Sequence, residues 1–498
     1  MNESTTPFSQ NPDGLHLNKE VGPSWPRSVQ PPISLPDDPL RESCGIAYDN
    51  QRSLKINDRY FAGRFLVQCP VLWEPSERSF YRYKTCDGVW HPMSESDVKT
   101  RIWKDLLKAN DQTGIDDFVF QSAARLGGII GSIRTMAERD AVFDSPPRRI
   151  FHCQNGMLDL GSSQPVLRGF HPIFFSRYAS NIPFVPDAEC PRFREFLQSA
   201  FTDEDTDMLQ VFLGGVLLGE NPAQRILILS GTAGSGKSSL VEIVEKVIGR
   251  KKVAQIRSQH LGGRFEMSKF RGKTLLTGKD VSADFLSNRS APAIKALVGN
   301  DLLDMEKKHD NGHYQLQGSF NMVITANSNL RVRLEGDFGA WERRILLVHC
   351  KPTKPINRIA NYADVLLHEE GSGILNWLVI GALRYISEVE QYGNIRTSEA
   401  HDTRVRDLLA ESDSLNHFVK SQIVASPSDS VTNDELVDAY TNMCFERGWE
   451  PLELRSVQSS LIRLMPQYHG ARVRHDIARG RGAKRGFKGV KLRKGGIE

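Results

Sequence analysis

Residues 225–249 read RILILSGTAGSGKSSLVEIVEKVIG, and the three parts of this stretch decide the fold. Ile226 to Leu229 form a short apolar run of the length and branching expected of a buried strand. Gly231-Thr232-Ala233-Gly234-Ser235-Gly236-Lys237-Ser238 follows, a G-x-x-x-x-G-K-[ST] loop. Leu240, Val241, Ile243, Val244, Val247 and Ile248 then recur at helical spacing and give one apolar face, with Gly249 placed to end the helix.

Strand, glycine-rich loop and helix in that order are the context in which such a motif holds phosphates. Glycines let backbone N–H groups wrap the anion, and the helix N-terminus adds a field that favours negative charge. The candidate nucleotide contacts are Gly231, Thr232, Ala233, Gly234, Ser235, Gly236, Lys237, Ser238 and Ser239. Lys237 is expected to reach the β- and γ-phosphates of ATP, and Ser238 to ligate Mg²⁺.

Working outward, the apolar runs RILILS, KTLLTG, FNMVITAN and RRILLV alternate with helical patterns between residues 206 and 352. That alternation predicts an α/β unit with a parallel sheet and crossover helices. A phosphate loop needs an acid on a neighbouring strand, and Asp280 ends TLLTGKD, so it is the expected partner of the metal and the attacking water. Asp284 is the spare candidate. Asn327, at the end of FNMVITAN, is placed to orient the water and sense the γ-phosphate, although Asn is also a common turn former. Arg343 and Arg344 enter the strand of GDFGAWERRILLV, where arginine can stabilise charge on a transferring phosphoryl group, often from a neighbouring subunit. An ion pair with Glu342 or Asp337 is the structural alternative.

Between the Asp280 and Asn327 strands lies DLLDMEKKHDNGHYQLQGSF, two strand-like runs around a polar hairpin signal, with Lys307, Lys308 and His309 at or beside its tip. The flanking regions differ in character. Residues 1–40 are rich in Pro, Ser, Asn and Asp and read as a disordered tail. Residues 41–205 mix apolar runs such as RFLVQCPVLW and SFYRYK with helical stretches and read as an α+β domain, in which Trp73, Tyr81, Tyr83 and Trp90 are better read as core than as base-stacking platforms. The motor occupies 206–352 and is followed by a helical lid over 353–410. Residues 411–492 carry three helical patterns and then a Gly- and Arg-rich pair of strands, which reads as a winged-helix domain, with 493–498 a tail.

Charge supports contact with nucleic acid by its distribution rather than its sum. The net charge is only +4 over 498 residues, yet Arg472 to Lys494 hold ten Lys and Arg against the single acid Asp476. Seven scattered cysteines without a C-x-x-C pair give no zinc pattern and suit a reduced, cytoplasmic setting. No stretch is long and apolar enough for a membrane span, and the N-terminus lacks a signal-peptide pattern.

GTAGSGKS, the lone acid of TLLTGKD, IKALVGND, ITAN and AWERRILL, in that order within about 115 residues, resemble superfamily 3 helicases, which are AAA+ ring motors. RIFHCQNGMLDL, DAECPRFREFL and LQVFLGGVLLGENPAQ upstream extend the resemblance to the phage/plasmid primase–helicase family, related to the poxvirus nucleoside-triphosphatase helicase-primase, over roughly residues 58–492. The resemblance implies Lys237 and Ser238 as Walker A residues, Asp280 as Walker B, Asn327 as sensor, and Arg344, flanked by Arg343, as finger. It implies that Lys307, Lys308 and His309 form a pore hairpin gripping phosphates. Lys295, in the helical IKALVGND, is a further candidate, either beside a neighbouring nucleotide or in an ion pair with Asp301 or another acid. It further implies a hexamer that moves 3′ to 5′ on single-stranded DNA, opens forked DNA, and works beside a separate primase or other replication proteins, since no primase module is visible. Two other readings stay open: an origin-binding or DNA-remodelling AAA+ ATPase, and a P-loop NTPase indifferent to DNA.

Overall fold

A computed structural model describes residues 46–48, 54–113, 122–144, 149–257, 261, 266–287, 291–306, 313–328, 330–332, 334, 338–352, 359–480 and 482–493. The stretch 1–40, expected to be a tail, lies outside these residues.

At the N-terminal end β1 (Ile46–Tyr48) and β2 (Leu54–Ile56) form an antiparallel ribbon. The RFLVQ part of the run RFLVQCPVLW is helical. It closes α1 (Asp58–Gln68), which starts where the Asn57 side chain accepts the Tyr60 N–H and which buries Phe61, Phe65 and Leu66 on one face. Spacing across Phe61 and Phe65, invisible within the short run, favours the helix. The chain then pairs β3 (Val71–Glu74), β4 (Ser79–Lys84) and β5 (Val89–Met93) into an antiparallel sheet. One side of that sheet packs on α1, α2 (Glu95–Thr113) and α3 (Ala123–Ala137). The other side buries Tyr81, Tyr83 and Trp90 with Phe143, so these rings are core, while Trp73 is half-buried beneath the Arg134 guanidinium.

A second small sheet, β6 (Ile150–Cys153), β7 (Gly156–Asp159) and β8 (Val166–Arg168), leads into α4 (Pro191–Ala200) and α5 (Asp203–Leu218). The central sheet follows. Its strands are β9 (Ile226–Ser230), β10 (Val253–Gln255), β11 (Leu275–Val281), β14 (Asn321–Ala326) and β15 (Ile345–His349), all parallel in the order β10-β11-β14-β9-β15. Between β11 and β14 the chain makes α7 (Ala291–Val298) and the antiparallel pair β12 (Leu302–Glu306) and β13 (His313–Gln317). The strands carry apolar residues on both faces because both faces are covered. Leu227, Leu229, Val323, Leu346 and Val348 join a core with α5, α6 (Lys237–Ile248) and α9 (Tyr362–Tyr392). Ile226, Ile228, Met322, Ile324, Ile345 and Leu347 join the opposite core with α7, α8 (Phe338–Glu342) and α10 (Glu399–Ser412). The edge strand β15 is closed by a side chain: the Leu347 N–H donates to Nε2 of the buried His401 at 3.0 Å, which leaves that N–H unavailable for further pairing.

After α11 (Ser414–Gln422) the chain enters β16 (Ile423–Thr432), a strand that falls between the first and second of the three expected helical patterns. Its register against β18 shifts between Ala425 and Ser430, and Pro427 falls in that interval, so the interruption that obscures a strand in the sequence is taken up as an irregularity. α12 (Asn433–Glu446), α13 (Leu454–His469), β17 (Val473–Arg479) and β18 (Gly482–Leu492) complete a three-stranded sheet, β16-β18-β17, over a helical core of Phe418, Tyr440, Leu461 and Phe487. Among the described residues no helix is long and apolar enough to cross a membrane.

The seat of α5 on α9 sets how the whole stack closes. A Cβ at Gly381 would stand 2.0 Å from the Gln210 carbonyl oxygen, and one at Gly214 would stand 2.1 Å from the Gly381 carbonyl carbon. Gly381→Ala should therefore lower stability by about 1–3 kcal/mol through overpacking. Gly339→Ala, in open space on α8, should be neutral or slightly stabilising. Thermal unfolding of the two variants checks the contrast.

Candidate active site

The parallel register brings four strand ends to one edge. Ser230 at the end of β9 is level with Ala326 on β14 and with His349 on β15, and Ala326 is level with Val281 on β11. Chain segments leaving the carboxyl ends of parallel strands converge on a crevice there. The glycine loop, Asn327 and Asp280 consequently share one edge although they are far apart in sequence.

The loop turns from β9 into α6 through Gly234 and Gly236, with φ of +86° and +90°, a backbone region closed to most side chains. A Cβ at Gly236 would also meet the Phe196 ring at 2.8 Å. Lys237 is 3% exposed, and its ammonium donates to the Gly231 carbonyl at 2.6 Å, the Thr232 carbonyl at 2.8 Å and Ser235 Oγ at 3.2 Å. Ser238 is exposed in the first turn of α6 and Ser239 half-buried. All six apolar residues expected on the inner face of α6 are buried.

Asp280 and Asn327 meet: Asn327 Nδ2 donates to Asp280 Oδ1 at 3.4 Å, and both side chains are exposed at the edge. Asp280 sits in an irregularity of β11 between Gly278 and Val281 with φ of +47°, and its N–H donates to Thr325 Oγ1 at 2.9 Å. The same irregularity sends Lys279 the other way, onto Glu245 of α6 at 2.7 Å. Asp284, the spare acid, accepts a hydrogen bond from Ser282 within a local turn.

The two arginines separate. Arg344 is buried, donating to the Ala340 carbonyl at 2.9 Å and Gln224 Oε1 at 3.4 Å, whereas Arg343 is exposed. Both precede β15, so they stand at the amino edge of the sheet, roughly 13 Å of strand away from the glycine loop of the same chain. Lys295 lies with its ammonium 5.7 Å from the centre of the Trp341 ring, on the same side. Lys307, Lys308, His309 and Asp337 lie outside the described residues; the strands flanking the first three pair with Glu306 opposite His313.

Sequence reasoning missed the groups that back the loop. Cys350 follows β15 and would touch a Cβ at Gly231 within 3.0 Å; burial pushes its thiol up to about 11, which keeps it neutral beside Lys237. Asp205, 1% exposed at the start of α5, takes a two-pronged ion pair from Arg404 of α10 at 2.5 and 3.2 Å. No local signal marks this pair, because its members are 199 positions apart.

Residues 229–344 match a family described as being of unknown function, DUF5906. The matched segment begins in β9 and ends at Arg344, so it spans the loop, Asp280 and Asn327. Among solved structures the chain is similar to the apo NrS-1 C-terminal region, residues 305–718, with 12% identity and a TM-score of 0.48 over 87% of this chain and 99% of that one. An A-form apo structure of the same region gives 11% identity and a TM-score of 0.45 over 86% and 99%.

Because Asp280 holds a left-handed backbone through Thr325, the two positions should respond oppositely. Thr325→Val removes the acceptor for a backbone N–H and should cost about 1–2 kcal/mol. Asp280→Gly should be neutral or stabilising by up to about 1 kcal/mol, since glycine adopts that φ freely. Thermal melts of both variants against wild type measure the difference.

Proposed function

We propose that this chain is an ATP-driven DNA motor, a ring-forming helicase of the superfamily 3, AAA+ type that serves replication of a phage, plasmid or similar element. The observation that carries the reading is the convergence of the glycine loop with the Asp280–Asn327 contact on one edge of a parallel sheet, the Asn327 strand being interposed between the other two. Motif order in the sequence supplies the helicase type.

In this reading Lys237 exchanges its bonds to the loop carbonyls for oxygens of the β- and γ-phosphates. Ser238 and Asp280, both exposed at the shared edge, would hold Mg²⁺. Mg²⁺, when bound, would screen the charge gathered on the phosphates. Asp280 accepts the proton side of the attacking water, and Asn327, already bonded to Asp280, orients it. Arg343 is exposed at the sheet edge opposite its own loop, which suits a group that completes the site of the next subunit in a hexamer; Arg344 is buried on Ala340 and Gln224.

DNA contact is assigned to the β12–β13 hairpin, through Lys307, Lys308 and His309, and to the C-terminal unit as a winged helix. In that unit α13 leads into the β17–β18 hairpin, where Arg485, Lys491 and Arg493 have no carboxylate partner among the described residues. The exposed basic strands also favour a second reading, an origin-binding or DNA-remodelling ATPase that grips duplex without processive unwinding.

Strand displacement on a forked duplex tests the proposal. Wild type should displace with ATP; Lys237→Ala should lose both displacement and turnover; Lys308→Ala with His309→Ala should lose displacement while keeping turnover. ATP turnover blind to DNA, with no displacement on either polarity, would refute it. Arg343→Ala is expected to bind ATP yet turn it over at least about 10²-fold more slowly, and to poison mixed rings. Arg344→Ala should instead lower the melting temperature, because it removes a buried, hydrogen-bonded side chain.

A further inference from the structure

A cavity of about 910 Å³ lies at the opposite edge of the central sheet from the glycine loop. Its floor is made by the residues that enter the strands: Asn221 and Gln224 before β9, Lys252 before β10, Thr274 before β11 and Phe320 before β14. One wall is the N-terminal unit from Phe143 to Tyr178, and the other is the base of the β12–β13 hairpin at Leu302, Gln315 and Gln317. Nothing in the catalytic reading uses this space.

Four cations line it. Arg177 is committed to Glu77 at 2.8 and 2.9 Å, and Arg271 to Asp144 at 3.1 and 2.8 Å. Lys252 and Lys273 have no carboxylate partner among the described residues. Lys252 stands 5.5 Å from the centre of the Phe151 ring, and Lys273 donates to the Lys251 carbonyl at 2.6 Å. Strand pairing sets them side by side, since the Thr274 N–H donates to the Lys252 carbonyl. Burial pushes both ammonium groups down, and Arg177 adds to the effect at Lys273, so an anion placed here would relieve both. Glu220, the lining acid outside these ion pairs, lies beside Tyr385.

The same cavity carries aromatic rings and two buried polar atoms without a hydrogen-bond partner, Glu220 Oε1 and His152 Nδ1. Tyr178 and Phe175 are half-buried on its wall; Phe175 is stacked on Trp90, and the Lys251 ammonium stands over one face of Tyr178 at 5.4 Å, which leaves the other face for a base. His152 is 3% exposed; Nε2 contacts the Asp87 carbonyl at 2.9 Å, and Nδ1 has no hydrogen-bond partner. With its N–H given to that carbonyl, Nδ1 is left as an acceptor. Unpaired cations beside aromatic faces are the elements that hold a single nucleic-acid strand without regard to sequence, the cations on phosphates and the rings on bases.

We propose that this cleft binds a short stretch of single-stranded DNA, with backbone phosphates at Lys252 and Lys273 and a base against Tyr178. The strand reaches it from the β12–β13 hairpin, which forms its wall. The inference rests on the DNA-motor reading and adds a second contact, placed beneath the sheet whose other edge holds the glycine loop.

The test uses the full chain and a fluorescent oligothymidylate, with affinity measured against salt for wild type and for Lys252→Gln with Lys273→Gln, alongside thermal melts. Wild type should bind, and the double variant should lose about tenfold or more with a salt slope smaller by about 1.4, two phosphate contacts on a single strand. Ultraviolet cross-linking of wild type to an oligothymidylate bearing 5-iododeoxyuridine should label the peptide containing Tyr178, which keeps the test decisive if the double variant misfolds. Wild-type binding with an unchanged slope in a folded double variant, or cross-links confined to other peptides, overturns the cleft and leaves the motor intact. Loss of the Tyr178 cross-link to excess thymidine monophosphate overturns the strand in favour of a free-nucleotide site. Failure of wild type to bind any single strand sinks the DNA-motor reading itself.

Discussion

Everything at the candidate site depends on one constraint, a parallel sheet covered on both faces. Burial on both sides makes the register of β9, β11, β14 and β15 costly to shift, because a one-residue slip would send every side chain into the opposite core. Locked in this way, the sheet delivers Ser230, Ala326 and Val281 to the same level. Asp280, one residue before Val281, and Asn327, one beyond Ala326, thereby share an edge with the glycine loop that follows Ser230.

One local departure from regular structure sits at that edge. The irregularity in β11 gives Asp280 its left-handed backbone, aims it at Asn327, and lets the preceding Lys279 fasten the strand to Glu245 on α6. Thr325, buried in β14, supplies the acceptor that holds the turn. A side chain held this way needs little further ordering when a ligand arrives.

Helices outside the sheet brace the loop from behind. Glu370, at a break inside α9, accepts the N–H groups of Arg192 and Phe193 at 3.0 Å each and so caps α4, whose last turn accepts the Lys351 N–H just beyond β15. Arg404 of α10 reaches the buried Asp205 next to His349 and Cys350. These contacts join α9, through α4, and α10, through Asp205, to the chain just after the strand that flanks the loop. Removing one partner of so buried an ion pair leaves an uncompensated charge, which gives the link its stiffness.

The chain's local chemistry by itself determined the glycine loop, the strands around it, the inner face of α6 and the burial of Tyr81, Tyr83 and Trp90. Each of these is written in spacing and residue type over a few positions, where the physics is short-ranged. The helical identity of RFLVQ and the strand β16 were not legible, the first because its apolar face begins outside the run and the second because Pro427 interrupts the pattern. Only the tertiary structure decided that Asp280 touches Asn327, that Arg343 faces solvent while Arg344 is buried, that Arg404 pairs with Asp205, and that a basic, aromatic cleft lies under the sheet. These outcomes join residues tens to hundreds of positions apart, and burial, register and charge pairing across such distances exist only once the layers have closed.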